Sequence, residues 1–328
     1  MKKSIAVAAA AAVLAAGGGV VYATGVFDTW RDGRALADGC GEMVDAAEVK
    51  QLLGAERVRG RSLGGLDCRA FDPGGKASVT VTVERGSAPG SVVQHARQIL
   101  AKDPESLLVP VGGGWPALVG VGGGGETYAT ALLPCGNESA GDDLVVGMTA
   151  VRAKSGGTLE ERREGLAALV TRALKQAAAA KGCEPAHADK PRMPAGAFTD
   201  LKKAGAATGT CRDTGLPSYE TESYASAPIE QCLPAGATGE PTFRLAAYYG
   251  PYANAPRHDP SRSPDDYTGP SGTNAGKSWT TAACPTGEAL FTMEALLPGA
   301  EPSAEARKAF PTFAAASAKR HGCEPPAS

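Results

Sequence analysis

Two hydrophobic periods alternate along this chain. From Ala77 to Val83 every second position is apolar, with Ser78, Thr80 and Thr82 between, which predicts a strand with one covered face. From Leu159 to about Lys181 the apolar positions Leu159, Leu166, Leu169, Val170 and Leu174 share one side of a helix. Thr158 and Glu161 supply its capping box. A shorter helix opens at Asp45, with Glu48 as the box partner and Val44 and Val49 as a hydrophobic staple. Leu52 and Leu53 extend its apolar face, and Gly54 suits its stop. A strand follows at Cys68–Phe71. The segment 91–102 reads as a further helix, with Ser91 and Gln94 as a capping pair and Asp103-Pro104 as the break. Glycine-rich stretches at 112–114 and 122–125 flank a short apolar strand after Trp115, where turn chemistry explains them best and a ligand loop is the rival. The strand pair 127–133 and 144–151 leads into the long helix.

The pattern then returns. Strands at 278–283 and 289–296 and a helix at 304–319 repeat the ending, and the cysteines repeat with them. Cys40, Cys68, Cys135 and Cys183 are followed by Cys211, Cys232, Cys284 and Cys323. Lys181-Gly182-Cys183-Glu184-Pro185 returns as His321-Gly322-Cys323-Glu324-Pro325, and Phe27 and Phe198 each lie 13 residues before the first cysteine of their set. The expectation is an α+β protein of two tandem copies of a mainly antiparallel sheet flanked by helices, each with two disulfides. The first copy covers 25–185, a proline-bearing linker 186–195, and a divergent second copy 196–328. The second copy has no good counterpart of the helix opened by Asp45, and its middle, 251–272, reads as a solvated loop.

The ending also argues for a disulfide connectivity. Cys135 closes one strand at a turn; about nine residues of the next strand travel ~30 Å away. A helix of about 22 residues returns ~33 Å, which brings Cys183 back beside Cys135. In the second copy both legs shorten together, to ~26 Å of strand and ~26 Å of helix. The pairs expected are Cys135–Cys183 and Cys284–Cys323, which leaves Cys40–Cys68 and Cys211–Cys232.

Composition narrows the setting. The chain of 328 residues is 43% hydrophobic and 21% charged, an ordinary globular balance. Its formal charge of −2 offers no basic excess for phosphates, so nucleic acid is not an expected partner. Lys2 and Lys3 precede an uncharged run, Ser4–Phe27, with Val21-Tyr22-Ala23 as a cleavage-like end. Residues 1–24 read as a cleaved signal peptide or an uncleaved membrane anchor, and either exports the rest. An extracytoplasmic location makes eight cysteines a disulfide framework. Neither a C-x-x-C pair nor closely paired zinc ligands occur in the sequence.

Cys40, the Glu48-Val49 to Leu52-Leu53-Gly54 helix end, Asp67-Cys68-Arg69 and the Val79–Val83 strand form a recognisable set. With the glycine-rich segment, strand pair and terminal amphipathic helix, this set resembles a group of actinobacterial secreted proteins and lipoproteins of unknown function with PsbP-like α+β domains. The resemblance spans most of the first copy, and the tyrosine- and proline-rich middle of the second departs from it. It implies a sheet flanked by helices and an envelope location, and it carries no catalytic residues.

Candidate chemistry is sparse. Gly272 to Ser278 superficially resembles a phosphate loop, but its glycine spacing is one residue short and a strand follows where a helix is required. The four histidines, His95, His187, His258 and His321, fall in no metal or hydrolase motif. No cofactor or metal is expected. Six of eight tyrosines, Tyr219, Tyr224, Tyr248, Tyr249, Tyr252 and Tyr267, crowd into the second copy. Strand and core packing accounts for some of them; as a group they are the candidate recognition surface. The leading expectation is a non-catalytic envelope-associated protein that recognises or assembles with an unknown envelope protein or small ligand. It touches the membrane only through its N-terminal segment. The alternatives are an extracytoplasmic enzyme with a site between the copies, and a structural spacer at the membrane.

Overall fold

The computed structural model describes residues 26–86, 103–122, 126–135, 143–152, 158–184, 189–194, 199–258, 263, 265–297 and 300–327. The N-terminal segment 1–24 and the helix expected at 91–102 lie outside these residues. Helices α1 (Val26–Cys40) and α2 (Ala46–Leu53) precede strands β1 (Arg59–Gly64), β2 (Asp67–Phe71) and β3 (Ser78–Arg85). A 3-10 turn at Pro104–Ser106 leads to β4 (Val109–Pro110), β5 (Ala117–Val121), β6 (Thr127–Leu133), β7 (Leu144–Val151) and α3 (Leu159–Lys181). The second half contains β8 (Ser218–Glu220), β9 (Ile229–Pro234), β10 (Phe243–Tyr248), a 3-10 turn at Gly250–Asn254, β11 (Ser271–Asn274), β12 (Lys277–Cys284), β13 (Gly287–Ala295) and α4 (Ala304–Arg320).

Local chemistry explains most boundaries. The Thr158 box at α3 is complete: Glu161 N donates to Thr158 Oγ1 at 3.1 Å, and Thr158 N donates to Glu161 Oε2 at 2.7 Å. The box at α2 is half made. Asp45 Oδ1 accepts from Ala47 N and Glu48 N at 2.8 and 3.1 Å, but the Glu48 carboxylate turns to Arg172 Nε of α3 at 3.1 Å. That ion pair ties the two helices together. Gly54 and Gly182 end α2 and α3 in the left-handed conformation. The phosphate-loop look-alike is a β-hairpin: Asn274 pairs with Lys277, and Ala275 and Gly276 take φ of 43° and 77° at its turn.

Both sheets are antiparallel throughout. One runs β1-β2-β3-β7-β6-β5-β4 and the other β8-β9-β10-β13-β12-β11. In the first, Cys68, Val81, Met148 and Ala129 form one cross-strand row. In the second, the row is Cys232, Leu245, Met293 and Ser278. All four disulfides pair as expected, Cys135–Cys183 and Cys284–Cys323 as the strand and helix lengths require and the other two as the remaining members. Cα separations are 5.2 Å for Cys40–Cys68, 5.0 Å for Cys135–Cys183, 5.1 Å for Cys211–Cys232 and 4.0 Å for Cys284–Cys323.

Side-chain alternation then divides the interior into three cores. Val79, Val81, Ala131, Val146 and Met148 point from the first sheet toward α3 and α2. Leu245, Ala247, Phe291 and Met293 point from the second sheet toward α4. The opposite faces meet each other: Leu118, Tyr128, Leu132 and Val145 of the first sheet share a core with Ile229, Ala246, Tyr248, Trp279 and Leu290 of the second. The order of layers is helices, sheet, sheet, helix.

The segment expected as a solvated loop helps to fill this middle layer. Pro251, Tyr252, Ala253, Ala255, Asp266 and Tyr267 are buried, because their rings and short side chains occupy the space between the sheets. The described part of the linker is also held in place. Gly112 N donates to Arg192 O at 2.7 Å, and Trp115 Nε1 donates to Asp189 O at 2.7 Å.

Candidate functional site

The tyrosines do not form an exposed recognition surface. Tyr248, Tyr249, Tyr252 and Tyr267 are buried, and only Tyr219 and Tyr224 are partly open. Their ring area is consumed by packing. Tyr248, Tyr252 and Tyr267 lie in the inter-sheet core, where the Tyr252 hydroxyl bonds Thr130 Oγ1 of β6. Tyr219 donates to Gly239 O at 2.9 Å, and Tyr224 donates to Glu222. Burial and then the Glu222 carboxylate push the Tyr224 phenol up to about 12.

A chain of charges crosses the inner face of the second sheet. Arg244, Glu294 and Lys277 are neighbours in register on β10, β13 and β12. Glu294 accepts from Arg244 and from the Tyr267 hydroxyl, while Lys277 pairs with Asp266. Two cations and two carboxylates alternate, so the row is neutral as a whole. It is a packing device with the charge balanced inside it.

A second cluster has the ingredients of a catalytic triad but the wrong connections. Ser317 Oγ of α4 donates to Glu230 Oε2 at 2.5 Å and lies 2.6 Å from the Tyr249 hydroxyl. Arg320 Nη2 reaches Glu230 Oε2 at 2.6 Å, and His321 Nε2 lies 3.5 Å from Glu230 Oε1. Tyr249 stacks on the His321 ring with centroids 3.6 Å apart. A serine nucleophile needs an imidazole acceptor and an open side. Here the hydroxyl is spent on a carboxylate, and Ser317 and Glu230 are both buried. The cluster pins the end of α4 to β9.

This cluster makes stability sensitive to acid. Burial raises the Glu230 carboxyl, but the His321 and Arg320 side chains outweigh it and hold the group below its ordinary value of 4.5. Asp32 on α1 is likewise depressed, first by the Arg57 guanidinium, whose Nε donates to its carboxylate at 2.8 Å. In each case the unfolded chain takes up the proton at a higher pH than the folded one. The stabilisation is therefore complete above about pH 4.5 and fades as the pH falls through the depressed folded values. We expect the melting temperature to drop between pH 5 and pH 3, and Glu230→Gln, less stable at pH 6, to show a shallower drop. Parallel melting curves for the two proteins across that range would refute this account.

Among the open depressions bounded by described residues is a groove of about 690 Å³ beside α4. Gly272 of β11, Trp279 and Thr280 of β12, Phe310 and Ala315 of α4, and the tail residues Pro325 and Pro326 bound it. Pro311, in the middle of α4, also faces it and has no amide hydrogen, so Arg307 O lacks its usual donor four residues on. The groove thus offers apolar walls, with Arg307 among the residues that line it. The tail already runs extended along β12, with Glu324 N donating to Ala283 O and Ala327 N to Thr281 O, both at 2.8 Å. None of these residues was read as part of a binding groove in the sequence, where Gly272 entered only as a phosphate-loop look-alike and Pro325 only as part of the repeat; Pro311 inside an otherwise regular helical pattern was the available signal.

Among the described residues no group of three or more His, Cys, Asp or Glu side chains is arranged to hold a metal ion, and no helix is long and apolar enough to cross a membrane. His258 lies exposed against Asn254 O at 2.8 Å, while His95 and His187 fall outside the described residues. No protein-family model, curated protein or solved structure matches the chain.

Proposed function

We propose that this is a non-catalytic, extracytoplasmic, envelope-associated protein made of two tandem copies of one α+β unit, 25–185 and 196–328. It acts in recognition or assembly. The duplication is supported by strand orders that match except for β4, the extra edge strand of the first sheet, by the equivalent cross-strand rows through Cys68 and Cys232, and by the pairing of disulfides at corresponding points. Four disulfides suit an oxidising compartment. The resemblance to PsbP-like envelope proteins agrees with this setting, and the N-terminal segment, as a cleaved signal peptide or an uncleaved membrane anchor, exports the rest.

One observation carries the recognition reading: the apolar groove beside edge strand β11 is open, while the serine–glutamate–histidine cluster is sealed. Its occupant is an extended segment of a partner protein, laid along β11 as the chain's own tail is laid along β12, with apolar side chains in the groove. The enzyme reading needs a cleft between the copies, and tyrosines and aliphatic side chains fill that junction. The same packing favours the spacer as the second reading, since it makes the two units one stiff body.

The test is a display selection of extended peptides against the exported protein, repeated on Ala315→Trp. Ala315 is exposed, so the indole fills the groove without entering the core. Selected peptides are expected to lose affinity by about tenfold or more, ~1.4 kcal/mol or above. Peptides that bind both proteins equally, or a selection that enriches none, would remove the groove as the site.

A further inference from the structure

We propose that the corner formed by α1 and β1 rests on the phospholipid headgroups of the membrane, with Trp30 inside the interfacial layer. This rests on the reading of the N-terminal segment as an uncleaved attachment. The uncharged run Ser4–Phe27 passes directly into α1, which is helical from Val26. From Phe27, the last residue of that run, Trp30 lies only ~4.5 Å further along the helix axis. The headgroup region on each side of the hydrocarbon core is about 5–7 Å thick, so Trp30 falls within it.

The side chains suit that layer. The chain has three tryptophans; Trp115 and Trp279 are 1% and 5% exposed, whereas Trp30 is 58% exposed. Indole favours the boundary between apolar and wet surroundings, because it combines a large ring with one N–H donor. Arg34 lies over the Trp30 ring at 5.6 Å, and Arg31 next to it is exposed. Asp32 between them is buried and accepts from Arg57 Nε and Nη2 at 2.8 and 3.0 Å. Guanidinium groups on this corner match lipid phosphates in shape and charge.

What turns proximity into a fixed orientation is the way α1 is clamped. Gly39 lies so close to β1 that a Cβ there would sit 2.2 Å from the Gly60 carbonyl carbon, and a Cβ on Gly60 would lie 2.6 Å from Leu36 O. Only glycines permit this backbone contact. The Cys40–Cys68 bridge and buried Leu36 fasten the same turn. The helix leaving the membrane is therefore rigidly joined to the first sheet, and the body cannot swing Trp30 away from the surface.

Tryptophan fluorescence of the full-length chain in phospholipid nanodiscs tests this, because two of its three tryptophans are shielded. Lipids brominated near the headgroup are expected to quench emission that Trp30→Phe abolishes, and iodide in the buffer is expected to lose access to Trp30 relative to detergent-free soluble protein. Intact mass measured on the same cells separates the failures. A mature N-terminus beyond Ala23 overturns the attachment reading and this inference together. An intact N-terminus with Trp30 open to iodide and untouched by brominated lipid overturns the inference alone.

Discussion

Glu294→Ala is expected to destabilise the protein by about 3–5 kcal/mol, the range for removing one member of a buried ion pair. Glu294 stands in register between Arg244 and Lys277, and its two oxygens accept from Arg244 and from Tyr267. Arg244 is only 1% exposed. Without this carboxylate the buried guanidinium keeps the cost of leaving water and loses the Glu294 contribution that offset it, and the Tyr267 hydroxyl loses the acceptor Glu294 supplied. The double variant Arg244→Met/Glu294→Met removes both charges and fills similar space, so it is expected to recover most of the loss. Urea unfolding of the three proteins decides the matter. A single variant within the ~1 kcal/mol typical of point substitutions, or a double variant as unstable as the single one, would show that the pair does not carry this role.

The row containing Glu294 also marks where the sequence stopped being informative. Helix caps, strand ends and the disulfide pairing were legible because they depend on neighbours in the chain: Thr158 and Glu161 are three residues apart, and the Cys135–Cys183 closure follows from two element lengths. The inter-sheet layer depends on residues from the other half. Arg244 on β10 looks like a solvent-facing residue until Glu294, 50 positions away, is set beside it. The segment 251–272 has the composition of a loop, and Tyr252 and Tyr267 are buried only because a second sheet faces them. One cue was available. The strand at 144–151 is continuously apolar around Gly147 and Thr149, unlike the alternating strand ending at Val83, and an unbroken run means cover on both faces. The helix α1 and strand β1 gave weaker signals still. Most of β1 is exposed, and the contact between the two is made by glycines, which carry no hydrophobic pattern.

Tyr252→Ala tests whether that shared layer joins the two halves energetically. The ring is fully buried among residues of both sheets, and its hydroxyl bonds Thr130 of β6; burial pushes the phenol well above its usual range, so the proton stays on oxygen. Truncating a buried aromatic side chain is expected to cost about 3–5 kcal/mol. Tyr252→Phe keeps the ring and strands the Thr130 hydroxyl, for a smaller loss of about 1–3 kcal/mol. The location of the effect matters more than its size. If the halves were independent domains, the damage would stay in the second, where Tyr252 belongs in the chain. Because Leu118, Tyr128, Leu132 and Val145 line the same core, amide exchange in β6 and β7 is expected to accelerate together with that in β10 and β13. The unfolding transition should remain single and move as a whole. Faster exchange confined to β9, β10 and β13, with β6 and β7 as protected as before, would mean that the sheets touch without supporting each other.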